Sequence, residues 1–389
     1  MSDTGALRRQ RVAVTALFFV NGATFSSWLP RIPEVRDRLD VTLGELGAVL
    51  LGTGLGGLLA SVAGGALVDR LGSRRSCVIA AVVLSAGLPL IAVAVTPFAL
   101  GFVLAGLGAV DVLADIGMNV QGAQVQRRTA RSVMQRFHGA WSVGALAGGG
   151  VASLAAGLHV SLGTQLSVTG VLLVGAVLAV ARHLSPADDP PLPQAEGARR
   201  LPVLALLAAV ALTIAVVEGA PGEWAAVFGA DVHDASPGVA GLGYLAVTAG
   251  MVLGRFLGDA ATDRFGSRPV FRGALLLSAA GLAVVTTSPA VVVAVAGFAV
   301  IGLGVSVLFP ALYLEAAERE GIPAGLGLGV MSTGARLGFL LSPPLVGAVA
   351  GASSLRASLG VVVGTAIVAA LAFEAGLMRH SGGGGQAAA

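Results

Sequence analysis

Asp69-Arg70-Leu71-Gly72-Ser73-Arg74 and Asp263-Arg264-Phe265-Gly266-Ser267-Arg268 are two copies of one charged turn, 194 residues apart in a chain of 389. The first copy follows Gly65-Ala66-Leu67-Val68 and the second follows Gly258-Asp259-Ala260-Ala261-Thr262. Each fills a short gap between long apolar stretches, so the chain reads as two halves with the same turn in the same place. Asn21-Gly22 before Trp28 returns as Glu218-Gly219 before Trp224, 196–197 residues on. No array with a period of 20–50 residues is present, so this is one large duplication.

Composition says what surrounds the halves. The chain is 55% hydrophobic and 12% charged, with a mean hydropathy of +0.87, whereas soluble domains carry about 25% charged residues. No polar stretch is long enough for a soluble catalytic domain. Every basic residue other than His is Arg, the net charge is only +3, and the arginines lie in loop-sized clusters. That distribution excludes a nucleic-acid face. Cys77 is the single cysteine, so no intramolecular disulfide forms. No His, Cys, Asp and Glu cluster has metal-ligand spacing, and no phosphate-binding loop or Ser-His-Asp set is visible. Neither enzyme chemistry nor a cofactor is expected.

Twelve apolar stretches, at about 11–29, 43–68, 76–95, 97–122, 135–157, 162–181, 201–226, 238–262, 270–288, 289–314, 324–349 and 355–376, are each long enough to cross ~30 Å of hydrocarbon as a helix. The first follows Arg8, Arg9 and Arg11 like a signal peptide, but it runs on through Phe25 and Trp28, so it reads as an uncleaved span. With the N-terminus in the cytoplasm, eighteen arginines fall inside and only Arg31, Arg36, Arg38 and Arg356 outside. The positive-inside bias then puts both termini in the cytoplasm, with the chain in the inner (plasma) membrane. His183–Arg200 is rich in Pro and charge and reads as a cytoplasmic linker. The expected division is a first six-helix bundle over 1–182, the linker over 183–200, a second bundle over 201–380 and a disordered tail over 381–389.

Twelve spans, a central loop and the Gly-x-x-x-Asp-Arg-x-Gly-x-Arg turn after spans 2 and 8 resemble the major facilitator superfamily. The resemblance covers essentially the whole chain. It implies an all-α membrane protein of two pseudo-symmetric six-helix bundles that rock about a central site, work as a monomer and carry a small solute. It also implies that Asp69, Arg70, Gly72 and Arg74, with Asp263, Arg264, Gly266 and Arg268, form a gating latch. Spans 2, 5, 8 and 11 are implied to join the halves, and each is rich in Gly, which lets helices approach closely.

A charge near the bilayer centre costs at least ~2.5–3.5 kcal/mol on insertion scales, so each such residue needs a reason. Asp111 and Asp115 lie in span 4, Glu218 and Glu223 in span 7, Arg255 and Asp259 in span 8 and Arg336 in span 11. Spans 3, 6, 9 and 12 carry no charge in their middles. At 1.5 Å per residue Asn21 and Arg336 fall near the midplane, while Glu223, Asp115 and Asp259 fall nearer the surfaces, as gates. Asp111, Asp115 and Asn119 are spaced i, i+4, i+8 and share one helix face. The expected proton-coupling acids are Glu218 and Asp111, with Arg336 as the base that moves toward or away from them; a permanent structural ion pair is the competing reading. His138 begins span 5 and is expected at a gate rather than in a proton relay.

Trp28 and Trp224 occupy matching places near the outer ends of spans 1 and 7. They read either as interfacial anchors or as stacking platforms for the apolar face of a sugar, with Trp141, Asn21 and Glu218 beside them. The expected substrate-binding set is therefore Asn21, Trp28, Asp111, Trp141, Glu218, Trp224 and Arg336. The runs Trp28–Pro33, Asp115–Gly122 and Arg136–Ser142 are similar to a bacterial subgroup that includes a membrane protein linked to rhizopine, an inositol derivative, and that is loosely similar to fucose permeases. Proton-coupled uptake of a sugar- or polyol-like solute is the first reading. A proton-antiport exporter of drugs or secondary metabolites is the alternative, although span 5 has Gly148-Gly149-Gly150 where drug antiporters have a Gly-Pro pair. A non-transporting sensor or a membrane enzyme is the remaining possibility.

Overall fold

The computed structural model describes residues 2–129, 133–186, 201–319, 322 and 324–382. Among these, twelve helical segments are long and apolar enough to cross a membrane, and no strand is present. They are α1 (Ser2–Ser26), α2 (Leu43–Leu71), α3 (Ser73–Val93), α4 (Pro97–Thr129), α5 (Met134–Gly157), α6 (Leu162–Ala181), α7 (Leu201–His233), α8 (Leu242–Phe265), α9 (Ser267–Thr287), α10 (Val291–Val305, resumed over Leu308–Glu318), α11 (Ala324–Ala352) and α12 (Leu355–Gly382). Most of the expected linker (187–200) and the end of the expected tail (383–389) lie outside the described residues.

Local chemistry sets the helix ends. Thr42 and Glu45 form a reciprocal capping box that opens α2. The two charged turns share one conformation: Gly72 has φ 84° and ψ 143°, Gly266 φ 84° and ψ 158°. This region is essentially closed to residues with a Cβ, which is why both copies carry Gly where the chain reverses. Each Gly N–H closes the preceding helix at 2.8 Å, on Val68 O and Thr262 O.

The sequence placed every span but misjudged several ends. α4 runs to Thr129 rather than 122 and α7 to His233 rather than 226. After α1 the chain continues through a 3-10 turn, Leu29–Arg31, into a short helix, Ile32–Leu39, both with Pro in the first turn.

The duplication is visible in the packing. In the first half α1 packs on α5, α2 on α4, α3 on α4 and α3 on α6; in the second half α7 packs on α11, α8 on α10, α9 on α10 and α9 on α12. Glycines seat these pairs. A Cβ on Gly52 or Gly56 of α2 would overlap the carbonyls of Gly101 or Ala105 of α4, and one on Gly250 of α8 would overlap that of Ala299 of α10. Gly144 and Gly148 of α5 meet the α1 backbone in the same way, and Gly334 and Gly338 of α11 meet α7. Thus α2, α5, α8 and α11 do join the halves, as α2 on α11 and α5 on α8, but most of their glycines serve pairs within a half.

Other glycines do lie between halves. Gly47 sits against Pro343 and Gly347, Gly54 against Leu340, Gly149 against the Tyr244 ring, and Gly238 against Gly157. All belong to the helix portions away from the face that carries both termini. The halves therefore meet at that opposite end.

Gly56→Ala is expected to drive α2 off α4 and cost ~1–3 kcal/mol, read as a lowered Tm of the purified protein in detergent. Gly65→Ala, on the same helix with nothing within 4 Å of its added methyl, should leave the Tm unchanged or raise it. Equal Tm values for the two variants would refute the carbonyl-contact account.

Candidate functional site

Seven helices bring polar side chains to one belt across the middle of the molecule. Asn21 of α1 is its hub. Its Nδ2 donates to Asp111 Oδ1 at 2.8 Å, and its Oδ1 accepts from Trp141 Nε1 at 2.8 Å. One amide thus ties α1, α4 and α5 together. Gly22 makes this possible, because a Cβ there would collide with the Trp141 carbonyl.

On the same face of α4, Asn119 Nδ2 donates to Asp115 Oδ1 at 2.8 Å. Because α4 runs to Thr129, Asp111 and Asp115 flank its centre, so Asp115 is deeper than the shorter span implied. Arg336 of α11 lies within electrostatic reach of both carboxylates, without a direct ion pair among the described residues. Tyr313, on the second segment of α10, sits near Arg336, Asp115 and Glu218.

The second half supplies two acids from α7. Glu218 lies at the helix centre, within electrostatic reach of Arg255 of α8. Arg255 in turn donates to Ser142 Oγ of α5 and so crosses between halves. The partner facing Glu218 is therefore Arg255, which the sequence marked as an intramembrane charge but left without a role. Glu223 joins Asn21, Thr24, Trp28 and Asp111 around an internal cavity of about 70 Å³. The longer α7 is the reason it lies inside rather than near a surface.

The aromatic residues separate. Trp28 lines that cavity, and Phe25 lies 6.3 Å from Trp141 between ring centroids. Trp224 is fully buried in the second half, its Nε1 has no hydrogen-bond partner, and in this conformation it packs in the core. His138 is exposed, its ring edge-on to Phe18 at 5.2 Å. The side chain of Asp259 lies outside the described residues.

At the terminus-bearing face Asp69, Arg70, Asp263, Arg264 and Arg268 are exposed, with Arg74 half-buried. Among the described residues no ion pair ties these side chains to the facing half. The opposite end is fastened. Arg36, on the short helix after α1, pairs with Asp231 at the end of α7, and Ser26 hydrogen-bonds the Tyr244 hydroxyl at 2.5 Å. The remaining arginines of this end have structural duties. Arg38 donates to the carbonyls of Ile91, Ala92 and Ala94 at the end of α3, and Arg356 to those of Thr286 and Ser288 at the end of α9. Both meet the negative pole of a helix. Arg31 is buried against Glu34, Gln165 and the Val160 carbonyl.

Comparison with known proteins agrees with this architecture. The family model described as Major Facilitator Superfamily matches residues 14–313 and 206–384. An uncharacterized MFS-type transporter of Yersinia pestis is 30% identical over 91% of this chain and 92% of its own length. Membrane protein MosC of Rhizobium meliloti is 31% identical over 92% of this chain and 88% of its own length. Among solved structures, a mutant of the nucleoside transporter NupG matches with a TM-score of 0.74 at 16% identity, over 94% of this chain and 99% of that one. A bacterial homologue of the human lysosomal transporter Spinster, in an inward-facing and occupied conformation, matches with a TM-score of 0.74 at 15% identity, over 95% and 96%. The chain belongs to the major facilitator superfamily: it is a multi-pass membrane transporter and not an enzyme.

Arg36→Glu is expected to loosen the fastened end, because it removes an ion pair and sets two acids face to face. The further change Asp231→Arg should restore it. Disulfide trapping between Cys residues placed on α2 and α11 at that end reads the effect: trapping falls severalfold in the single variant and recovers in the double. No recovery would refute the pairing.

Proposed function

We propose that this major facilitator superfamily protein is a proton-coupled importer that carries a small polyhydroxylated, sugar- or polyol-like solute across the plasma membrane by alternating access, acting as a monomer with both termini in the cytoplasm. The observation that carries this reading is the Asn21 hub, where one amide joins the Asp111 carboxylate to the Trp141 indole beside a cavity lined by Asn21, Asp111 and Trp28. An aromatic face with amide and carboxylate acceptors suits a ring that is apolar on its faces and hydroxylated at its edge.

The arginine distribution supports the orientation. Given that orientation, halves fastened at the end away from the termini correspond to an inward-facing state. The exposed charged turns fit this, since a latch that holds the cytoplasmic ends together is open when those ends are apart. Glu218 and Asp111 are the proposed coupling acids. Each has a base within electrostatic reach but not in contact, Arg255 for Glu218 and Arg336 for Asp111. A proton or a solute can therefore shift the balance between them.

Proteoliposomes carrying an internal pH dye test this against a panel of sugars, polyols and inositols. External addition of one solute should acidify the interior. Glu218→Gln should abolish the acidification while leaving solute exchange, and Asp111→Asn should weaken both. Silence across the panel, with an imposed pH gradient driving lipophilic compounds outward, would replace import with export.

A further inference from the structure

Among the described acids within the spans, Glu223 is left without a compensating partner. Asp111 takes the Asn21 amide and has Arg336 within reach, Asp115 takes Asn119 and shares Arg336, and Glu218 faces Arg255. Glu223 Oε2 is buried with no hydrogen-bond partner among the described residues, and among them Glu223 forms no ion pair. It is also the second half's contribution to a cavity otherwise walled by α1, α2, α3 and α4.

The cavity is acidic and aromatic in character. Its lining holds the Glu223 and Asp111 carboxylates together with the rings of Phe25 and Trp28, and no Arg among the described residues. A bare carboxylate in such a place is costly unless it takes up a proton or is met by a positive group. An ammonium meets all of these surfaces: three N–H donors for carboxylate and amide oxygens, and a charge attracted to an aromatic face. At about 70 Å³ the cavity is far below the ~300–1,000 Å³ of a pocket that encloses a whole ligand. It holds a small head group while the rest of the solute extends beyond it.

We propose that this cavity binds the protonated amine of an amine-bearing small polar solute, such as an amino sugar or amino polyol, with Glu223 as the specificity-determining residue. This rests on the solute-transport reading and narrows its substrate class. Recognition then spans both halves, Glu223 of α7 on one side and Asp111 with Asn21 on the other.

Matched pairs test it: glucosamine against glucose, and ethanolamine against ethylene glycol, at a pH where the amines are charged. Affinities are read by thermal shift on the purified full-length protein in detergent. The amine member of at least one pair should bind at least tenfold more tightly than its neutral partner. Glu223→Gln should erase that preference, and Glu223→Asp should keep part of it, which separates recognition from misfolding. Equal binding of both members, an amine preference that survives Glu223→Gln, or silence of every probe would overturn the proposal. Transport of the same pairs in proteoliposomes keeps the two readings apart. Equal transport of amine and neutral members overturns only the ammonium site, whereas amine binding without any transport overturns the importer reading and leaves the site standing.

Discussion

A bilayer offers no water to a polar atom, so every carbonyl, amide and charge that enters it must be met by another part of the protein. The rest of this structure follows from that constraint. Backbone groups are satisfied along each helix, which leaves helices to associate by close contact rather than by a hydrophobic drive, and small residues set how close they come. Here Gly presses on carbonyl in the same pairs in both halves: Gly56 on Ala105 in α2–α4 and Gly250 on Ala299 in α8–α10, Gly148 on Ala23 in α1–α5 and Gly334 on Ala208 in α7–α11. Carbonyls at the helix ends receive arginines, Arg38 for α3 and Arg356 for α9. This explains two of the four arginines on the face that the positive-inside bias leaves poor in them: Arg38 and Arg356 are helix caps, while Arg36 pairs with Asp231 and Arg31 with Glu34.

The same constraint made much of the fold legible in the sequence and hid part of the site. Length and hydropathy locate a span because nothing else crosses the hydrocarbon, and the repeated Asp-Arg-x-Gly-Ser-Arg turn is visible because Gly72 and Gly266 sit at backbone angles that other residues avoid. Helix ends are different. The last turns of α4 contain Gln124, Gln126, Arg127 and Arg128, and those of α7 contain Asp231 and His233, so hydropathy falls before the helix does. Depths counted from such truncated ends put Asp115 and Glu223 near the surface, when one flanks the middle of its helix and the other lines the cavity.

Pairing between helices was the harder problem. Spacing along one helix places Asp115 and Asn119 on one face, and they do bond. Whether Glu218 meets Arg336 or Arg255 depends on how α7, α8 and α11 are rotated, and no periodicity within one helix carries that information. Trp28 and Trp224 occupy equivalent positions in the two halves, yet one lines a cavity and the other is sealed in the core. Duplication preserves the scaffold more faithfully than the environment of any one side chain. In this chain the asymmetry is chemical as well: Asn21 in the first half stands where Glu218 stands in the second.

That asymmetry bears on how the halves move. Contacts inside each half include glycine seated against backbone carbonyls in the same helix pairs on both sides. Contacts between halves add polar groups to the same glycine packing: the α2–α11 glycines at one end are joined by the Arg36–Asp231 pair near the water boundary, the Ser26–Tyr244 hydroxyls, and Arg255 reaching Ser142. Exposed ion pairs are typically worth ~1 kcal/mol or less, and interhelical hydrogen bonds in membranes average ~0.6 kcal/mol. These polar contacts are individually weak, so the close packing of α2 on α11 is the larger part of what joins the halves at that end. At that boundary Glu223 of the second half and Asp111 of the first line one cavity. A group bound between them touches both halves at once.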